Sequence, residues 1–334
     1  MHRAFALVTP LVLSTVVACQ APVAEQPHRA PAPVAPPAAP TALGAPVEER
    51  VTIPIESAKG PGDGEPGDRS CGARLSCQGE SCCKKLLVPG GSYRDEIAGS
   101  VAVEAFYLDK YELTVGRVRA WVKAGRPVPA DGAVLGYDSG KRPVLWQKAF
   151  KVQSESKLKG WERYDTWQLD ADDLPKNFLD WYTAAAVCSF AGGRLPTDAE
   201  WRYAAVGGDE DRAFPWGAEE QTPERAVYNC LGDGDKSCSI HDILPVGSRP
   251  LGAGRWGHMD LAGSMFEWTL DAGGPGETVN RGGGFCYIGG MDRRAKHVRT
   301  KDNARHDAPS VVSHMVGARC AFDAPSDSPA VAAR

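Results

Sequence analysis

The chain has 334 residues, 43% hydrophobic and 24% charged, with a formal net charge of -4. That size and composition allow one or two globular domains with a real core and exclude a small disulfide-stapled toxin. The near-neutral charge, with no long basic run beside an aromatic platform, excludes nucleic acid as a partner.

The opening stretch "MHRAFALVTPLVLSTVVACQ" sets His2 and Arg3 before an apolar run that ends in small residues. The run is too short for a spanning helix and predicts an export signal over residues 1–19. Val16-Val17-Ala18-Cys19 resembles a bacterial lipobox, which implies cleavage before Cys19 and lipidation of its sulfur. The partner is then the membrane itself, reached through acyl chains that each bury many methylenes. An ordinary secretory signal is the alternative reading. Gln20, in place of an acidic residue, points by the same resemblance to the outer membrane of a bacterial cell envelope.

Residues 20–70 are dominated by Pro, Ala and Gly, as in "HRAPAPVAPPAAPTALGAP", and lack the apolar periodicity that offsets ordering entropy. They are predicted to be a disordered tether, followed by a cysteine-rich segment at 71–83, a folded domain at 84–322 and a disordered tail at 323–334. Within the domain, "ELTVGRVRAWVKAG" places Thr114 to cap a helix that carries Val115, Val118, Trp121 and Val122 and stops at Gly125. A second, Ala-rich helix is expected over Trp181 to Phe190, ending before Gly192-Gly193. Thr197 and Glu200 then form a capping box ahead of Trp201, Tyr203 and Ala204. Many glycines and short apolar stretches between these helices predict an irregular, single-domain α+β fold. The stretch from Arg126 to Asp173, with "VLGYDSGKRPVLWQKAF" and "GWERYDTW", carries aromatics expected to be exposed and to form a partner surface.

Eight segments in order, "LLVPGGSY", "FYLDKYELTVGRVRAWV", "GGRLPTDAEWRYAAVGG", "FPWG", "PVGSRP", "MDLAGSMFEWTLD", "RGGGF" and "GARCAF", resemble the formylglycine-generating enzymes, or sulfatase-modifying factors. The resemblance spans nearly all of the folded region and implies a fold related to C-type lectins, with little regular secondary structure. Function sits in the site and not in the fold. In the copper oxidases of this family two cysteines follow an RGG-Ser-aromatic segment and hold Cu(I), which prefers soft thiolates. Laid onto this chain, the serine falls at Gly284 and the two cysteines at Tyr287 and Asp292, so all three are replaced. Cys286 lies one position early and, on an extended segment, faces the opposite way, which leaves it a weak catalytic candidate. Copper is therefore not expected. Nor do His241, His258, His297, His306 and His314 show the close spacing of an iron or zinc site.

The resemblance also implies a calcium ion held by Asp260, Gly263, Met265 and Glu267, two carboxylates with backbone carbonyls supplied at a glycine turn. The competing reading has Asp260 capping a turn and Glu267 paired with an arginine such as Arg194 or Arg281. A second calcium site is implied near Asn229, with Asp233 or Asp235.

Besides Cys19 there are nine cysteines in a chain expected to be exported, where disulfides are allowed. Cys71, Cys77, Cys82 and Cys83 suffice for two bridges, with Cys82 and Cys83 bonded to Cys71 and Cys77 and not to each other; metal binding by this cluster is the alternative. Cys230 and Cys238 flank a polar loop and suggest a local bridge. Cys188, inside the Ala-rich helix, is expected to be the odd thiol, which leaves Cys286 to pair with Cys320. The expected function is a calcium-stabilised lipoprotein that binds a protein, peptide or glycan. The alternative is an active oxidoreductase that converts a substrate cysteine to formylglycine.

Overall fold

In the computed structural model, residues 68–72, 75–153, 160–235, 237–286 and 304–325 are described. Cys19, where an anchor is expected, nearly all of the proposed tether, the end of the tail and positions 287 and 292 lie outside them. Three short helices form where their caps sit. Helix α1 (Val115–Lys123) starts at Thr114, whose hydroxyl accepts the Arg117 N–H. Helix α2 (Trp181–Phe190) starts at Asp180, which accepts the Thr183 N–H at 2.8 Å. Helix α3 (Asp198–Val206) opens on the reciprocal Thr197–Glu200 box and ends at Gly207 in the left-handed conformation. Each cap satisfies a backbone donor that the helix itself leaves unpaired.

Two small sheets carry the rest. In one, Phe266–Gly274 is the central strand, paired antiparallel with Glu277–Arg281 and parallel with Val316–Gly317, and Arg305–Asp307 forms an edge. In the other, Phe106–Asp109 lies between Lys85–Val88 and Ala321–Asp323 in antiparallel register. Hairpins at Gly91–Asp95/Gly99–Val103 and Val134–Tyr137/Pro143–Leu145 stand apart from these sheets. The described domain is a single-domain α+β fold in which most residues lie in turns and loops.

The main core gathers Val118 and Trp121 of α1, nearly all of α2, and Phe266, Trp268 and Leu270 of the central strand. Buried indoles keep partners: Trp268 Nε1 donates to Leu179 O and Trp181 Nε1 to Thr269 O, both at 2.8 Å. Those bonds remove the penalty for burying a donor while the rings supply apolar area.

The aromatics of 126–173 mostly turn inward, contrary to the expected partner surface. Trp146 and Tyr164 are buried, Phe150 stacks on Tyr182 and meets Trp181 edge-on, and among the quoted aromatics Tyr137 stays 57% exposed. The segment contributes core to a domain rich in loops.

Between described residues the bridges are Cys71–Cys83, Cys77–Cys82, Cys230–Cys238 and Cys188–Cys320. The expected Cys286–Cys320 bond is therefore corrected, and Cys188 is not a lone thiol. Helix α2 and the stretch before Ala321–Asp323 pack side by side, and they bring Cys188 and Cys320 together across 132 residues.

Candidate functional site

The strand Glu277–Arg281 runs into three glycines and then Phe285 and Cys286. Arg281 closes a two-point ion pair on Asp198 in the first turn of α3, at 2.6 and 2.9 Å, which fixes where the glycine run begins. Gly282 O accepts the Gly263 N–H, and the Phe285 N–H donates to Ser264 O at 2.7 Å. At Gly284 a Cβ would fall 2.9 Å from Met315 Cβ. The serine that the family motif places here would press on Met315 and force a shift.

Cys286 is 1% exposed. Its Sγ lies 3.2 Å from His314 Nε2, and the sulfurs of Cys230, Cys238 and Cys286 all lie within 4.8 Å of one another. The Cys230 N–H donates to Phe285 O at 2.8 Å, which ties the Cys230–Cys238 loop to the glycine segment. Trp161 stacks on His314 with centroids 4.6 Å apart, Tyr164 and Phe285 flank the same ring, and Tyr164 OH donates to Cys238 O. Burial, with Arg305 and Arg163 nearby, lowers the His314 pKa to about 4, so its imidazole is neutral at pH 7.

A second cluster surrounds the residues implied for calcium. Gly263 has φ +81°, and a Cβ there would meet Val227 O at 2.3 Å, so the turn requires glycine. Asp260 and Ser264 also adopt the left-handed conformation. Asp260 Oδ2 accepts the Gly247 N–H at 2.6 Å. Glu267 is buried, and its oxygens are taken by Arg319 at 2.6 and 2.7 Å and by Trp201 Nε1 at 2.7 Å. Glu267 thus pairs with an arginine as the competing reading had it, but with Arg319: Arg194 pairs with Glu200 and Asp323, and Arg281 with Asp198. Glu112, which sequence reasoning missed, accepts Ser264 Oγ at 2.8 Å and the Met265 N–H at 3.0 Å. Burial, then the Asp260 and Glu267 charges, pushes Glu112 well above the usual carboxylate range. Burial and Glu267 raise Asp260 to about 6.

Glu112, Asp260 and Glu267 all lie in the field of Arg319, and Arg249 also reaches Asp260; three carboxylates against two guanidiniums leave a negative surplus that suits a divalent cation. Glu267 does not fit the implied ligand set, because Arg319 and Trp201 occupy it; Glu112 is the second carboxylate beside Asp260. Asn229 sits in the left-handed conformation next to Cys230. Its expected partner Asp233 accepts the Asp235 N–H and Ser239 Oγ within its own loop.

The model of the "Sulfatase-modifying factor enzyme 1-like domain" matches residues 74–324, and the chain belongs to that family. Among curated relatives, it is similar to the mouse "Inactive C-alpha-formylglycine-generating enzyme 2", 32% identical over 155 residues, covering 46% of this chain and 50% of that protein. It is also similar to the formylglycine-generating enzyme of Streptomyces coelicolor, 29% identical over 267 residues, covering 67% and 80%. The chain thus spans about half the length of the mouse relative. The structure of PvdO from Pseudomonas aeruginosa shares the fold, with a TM-score of 0.50 and 19% identity over 72% of this chain and 94% of that one.

Proposed function

We propose that the chain is a bacterial cell-envelope lipoprotein, anchored through Cys19 on the outer membrane, whose domain binds a protein, peptide or glycan without copper oxidase chemistry. The observation that carries this reading is the cysteine segment. Tyrosine and aspartate occupy 287 and 292, where the family's copper thiols would stand. Cys286 beside them is buried against His314, with the Trp161 and Tyr164 rings packed on that imidazole. Turnover of a substrate thiol at the family's site needs two soft thiolates, and Tyr287 and Asp292 supply none. The name of the mouse relative, an inactive formylglycine-generating enzyme, supports the same reading.

The test incubates the full chain with Cu(I), oxygen and a cysteine-bearing sulfatase peptide and follows conversion of the cysteine to an aldehyde by mass spectrometry. No aldehyde is expected; turnover would establish the oxidase instead. For the anchor, a clickable fatty acid fed to expressing bacteria is expected to label the wild-type protein and not Cys19→Ala.

Calcium belongs to the same proposal. Asp260 and Glu112, with the carbonyls of Gly263 and Met265, would hold it. The ion would supply charge neutralisation and cross-link the turn to the loop that carries Glu112 between the strand Phe106–Asp109 and α1.

A further inference from the structure

We propose that the outer face of the Val134–Tyr137/Pro143–Leu145 hairpin, with the cations around it, is a docking surface for an anionic lipid bilayer, a reversible contact separate from any acyl chain. Six large hydrophobic side chains stand exposed among the described residues, and four of them lie in this one stretch: Val128 at 49%, Val134 at 54%, Tyr137 at 57% and Leu145 at 42%. Single exposed apolar groups are ordinary, whereas a contiguous set marks an interaction site. The register brings the hairpin members together, because Val134 is the cross-strand partner of Leu145, and Tyr137 that of Pro143, itself exposed.

Packing of the inner face explains why the outer one stays in water. Leu135 and Trp146 are buried, and at Gly136 a Cβ would fall 2.7 Å from Arg194 Cδ and 2.9 Å from Leu270 Cδ2, so the backbone lies directly on the domain. A two-stranded hairpin gains little stability by itself. Its inner face is therefore committed to the core, and its outer face is left to a partner.

The charges decide which partner fits. Residues 123–151 hold six cations, Lys123, Arg126, Lys141, Arg142, Lys148 and Lys151, all exposed, against two carboxylates, Asp131 and Asp138, in a chain whose formal net charge is -4. Asp138 is occupied by Arg142, at 2.7 and 2.8 Å. Glu104 stands 3.7 Å from Lys141 with both side chains largely in water, a pairing weak enough to leave that lysine to another anion. The Gly132 N–H donates to Trp146 O and the Lys148 N–H to Asp131 Oδ1, so Lys148 follows the open end of the hairpin while Lys141 and Arg142 belong to its turn. An apolar strip with cations at both ends matches an anionic bilayer: the aliphatic groups enter the acyl boundary, the ammonium groups meet phosphates, and the Tyr137 phenol suits the headgroup level between them. Each Lys or Arg brought near such a surface tightens binding by about fivefold. The contact depends neither on lipidation of Cys19 nor on what the domain binds elsewhere.

The test uses the full chain carrying Cys19→Ala, so that no acyl chain contributes, and measures co-sedimentation with phosphatidylglycerol–phosphatidylethanolamine vesicles and with phosphatidylcholine vesicles at low and high salt. Binding to the anionic vesicles is expected to be at least tenfold stronger and to weaken as salt screens the cations. Lys141→Glu with Lys148→Glu is expected to abolish that preference, and Val134→Ser with Leu145→Ser to weaken binding at least threefold, each pair checked for folding by circular dichroism. Ile97→Ser, which removes an exposed apolar side chain from a different hairpin, should change nothing. Every chain compared keeps the same N-terminus, so binding by the leader cancels. Equal binding of the parent chain and both folded pairs to anionic vesicles, or no binding by any of them, would overturn the proposal. Self-association without lipid, abolished by Val134→Ser with Leu145→Ser, would overturn it in favour of a second copy of the chain on this face.

Discussion

Gly284 shows how one position separates this chain from the oxidase pattern. Its Cα packs where any side chain would press on Met315 Cβ, an atom that cannot swing aside. Restoring the motif serine by Gly284→Ser is expected to cost about 1–3 kcal/mol through overpacking. A urea denaturation curve measures that cost, and Gly284→Ser combined with Met315→Ala should lose less than the sum of the single changes.

Two buried groups set opposite pH dependences. Desolvation, with the charge of Arg319, lowers the pKa of His258 from 6.5 to about 3. Its contribution is present above pH 6.5 and is lost as pH falls toward 3, because the unfolded chain binds the proton first. Asp260 is raised from 3.8 to about 6, so its contribution is present below pH 3.8 and is lost as pH rises through 6. In the metal-free protein, Asp260→Asn should therefore make the stability curve rise more steeply with pH between 4 and 6, and His258→Leu should flatten it. Unfolding free energies at half-unit steps check both signs.

At the scale of elements, the helix caps and local bridges were legible because their partners lie a few residues apart. Thr197 and Glu200 needed no tertiary information, and Cys71, Cys77, Cys82 and Cys83 close loops of 12 and 5 residues. The Cys188–Cys320 bridge was not legible. An alternation of small apolar residues around Cys188 looks the same whether its sulfur meets core or another sulfur. Closing 132 residues in the unfolded chain removes entropy worth roughly 5 kcal/mol in the loop-closure picture. Replacing both cysteines with alanine is expected to cost a few kcal/mol, against about 2 kcal/mol for Cys77–Cys82, and paired thermal melts compare the two.

For the whole molecule, the charge surplus around Arg319 makes calcium a stability question. A chelator added to protein holding ion at ~100 times its dissociation constant removes about 2.7 kcal/mol, which lowers the melting temperature by roughly 5–10 °C. Asp260→Asn together with Glu112→Gln should abolish that response. An unchanged melt in the wild type would remove calcium from the account. No helix among the described residues is long and apolar enough to cross a membrane, so the proposed attachment rests on Cys19.

The sequence alone determined the family and the three helix starts, since each is written in contiguous residues. It also contained Glu112, His314 and Arg319, yet nothing local marked them. Glu112 meets Ser264 across 152 residues and Arg319 meets Glu267 across 52. Only the tertiary structure decided those meetings, along with the gathering of three sulfurs beside one imidazole. The reason is physical: caps and short loops are chosen by nearby backbone groups, whereas pairing of distant charges and thiols is chosen by which strands and helices pack together and what that packing leaves unsatisfied.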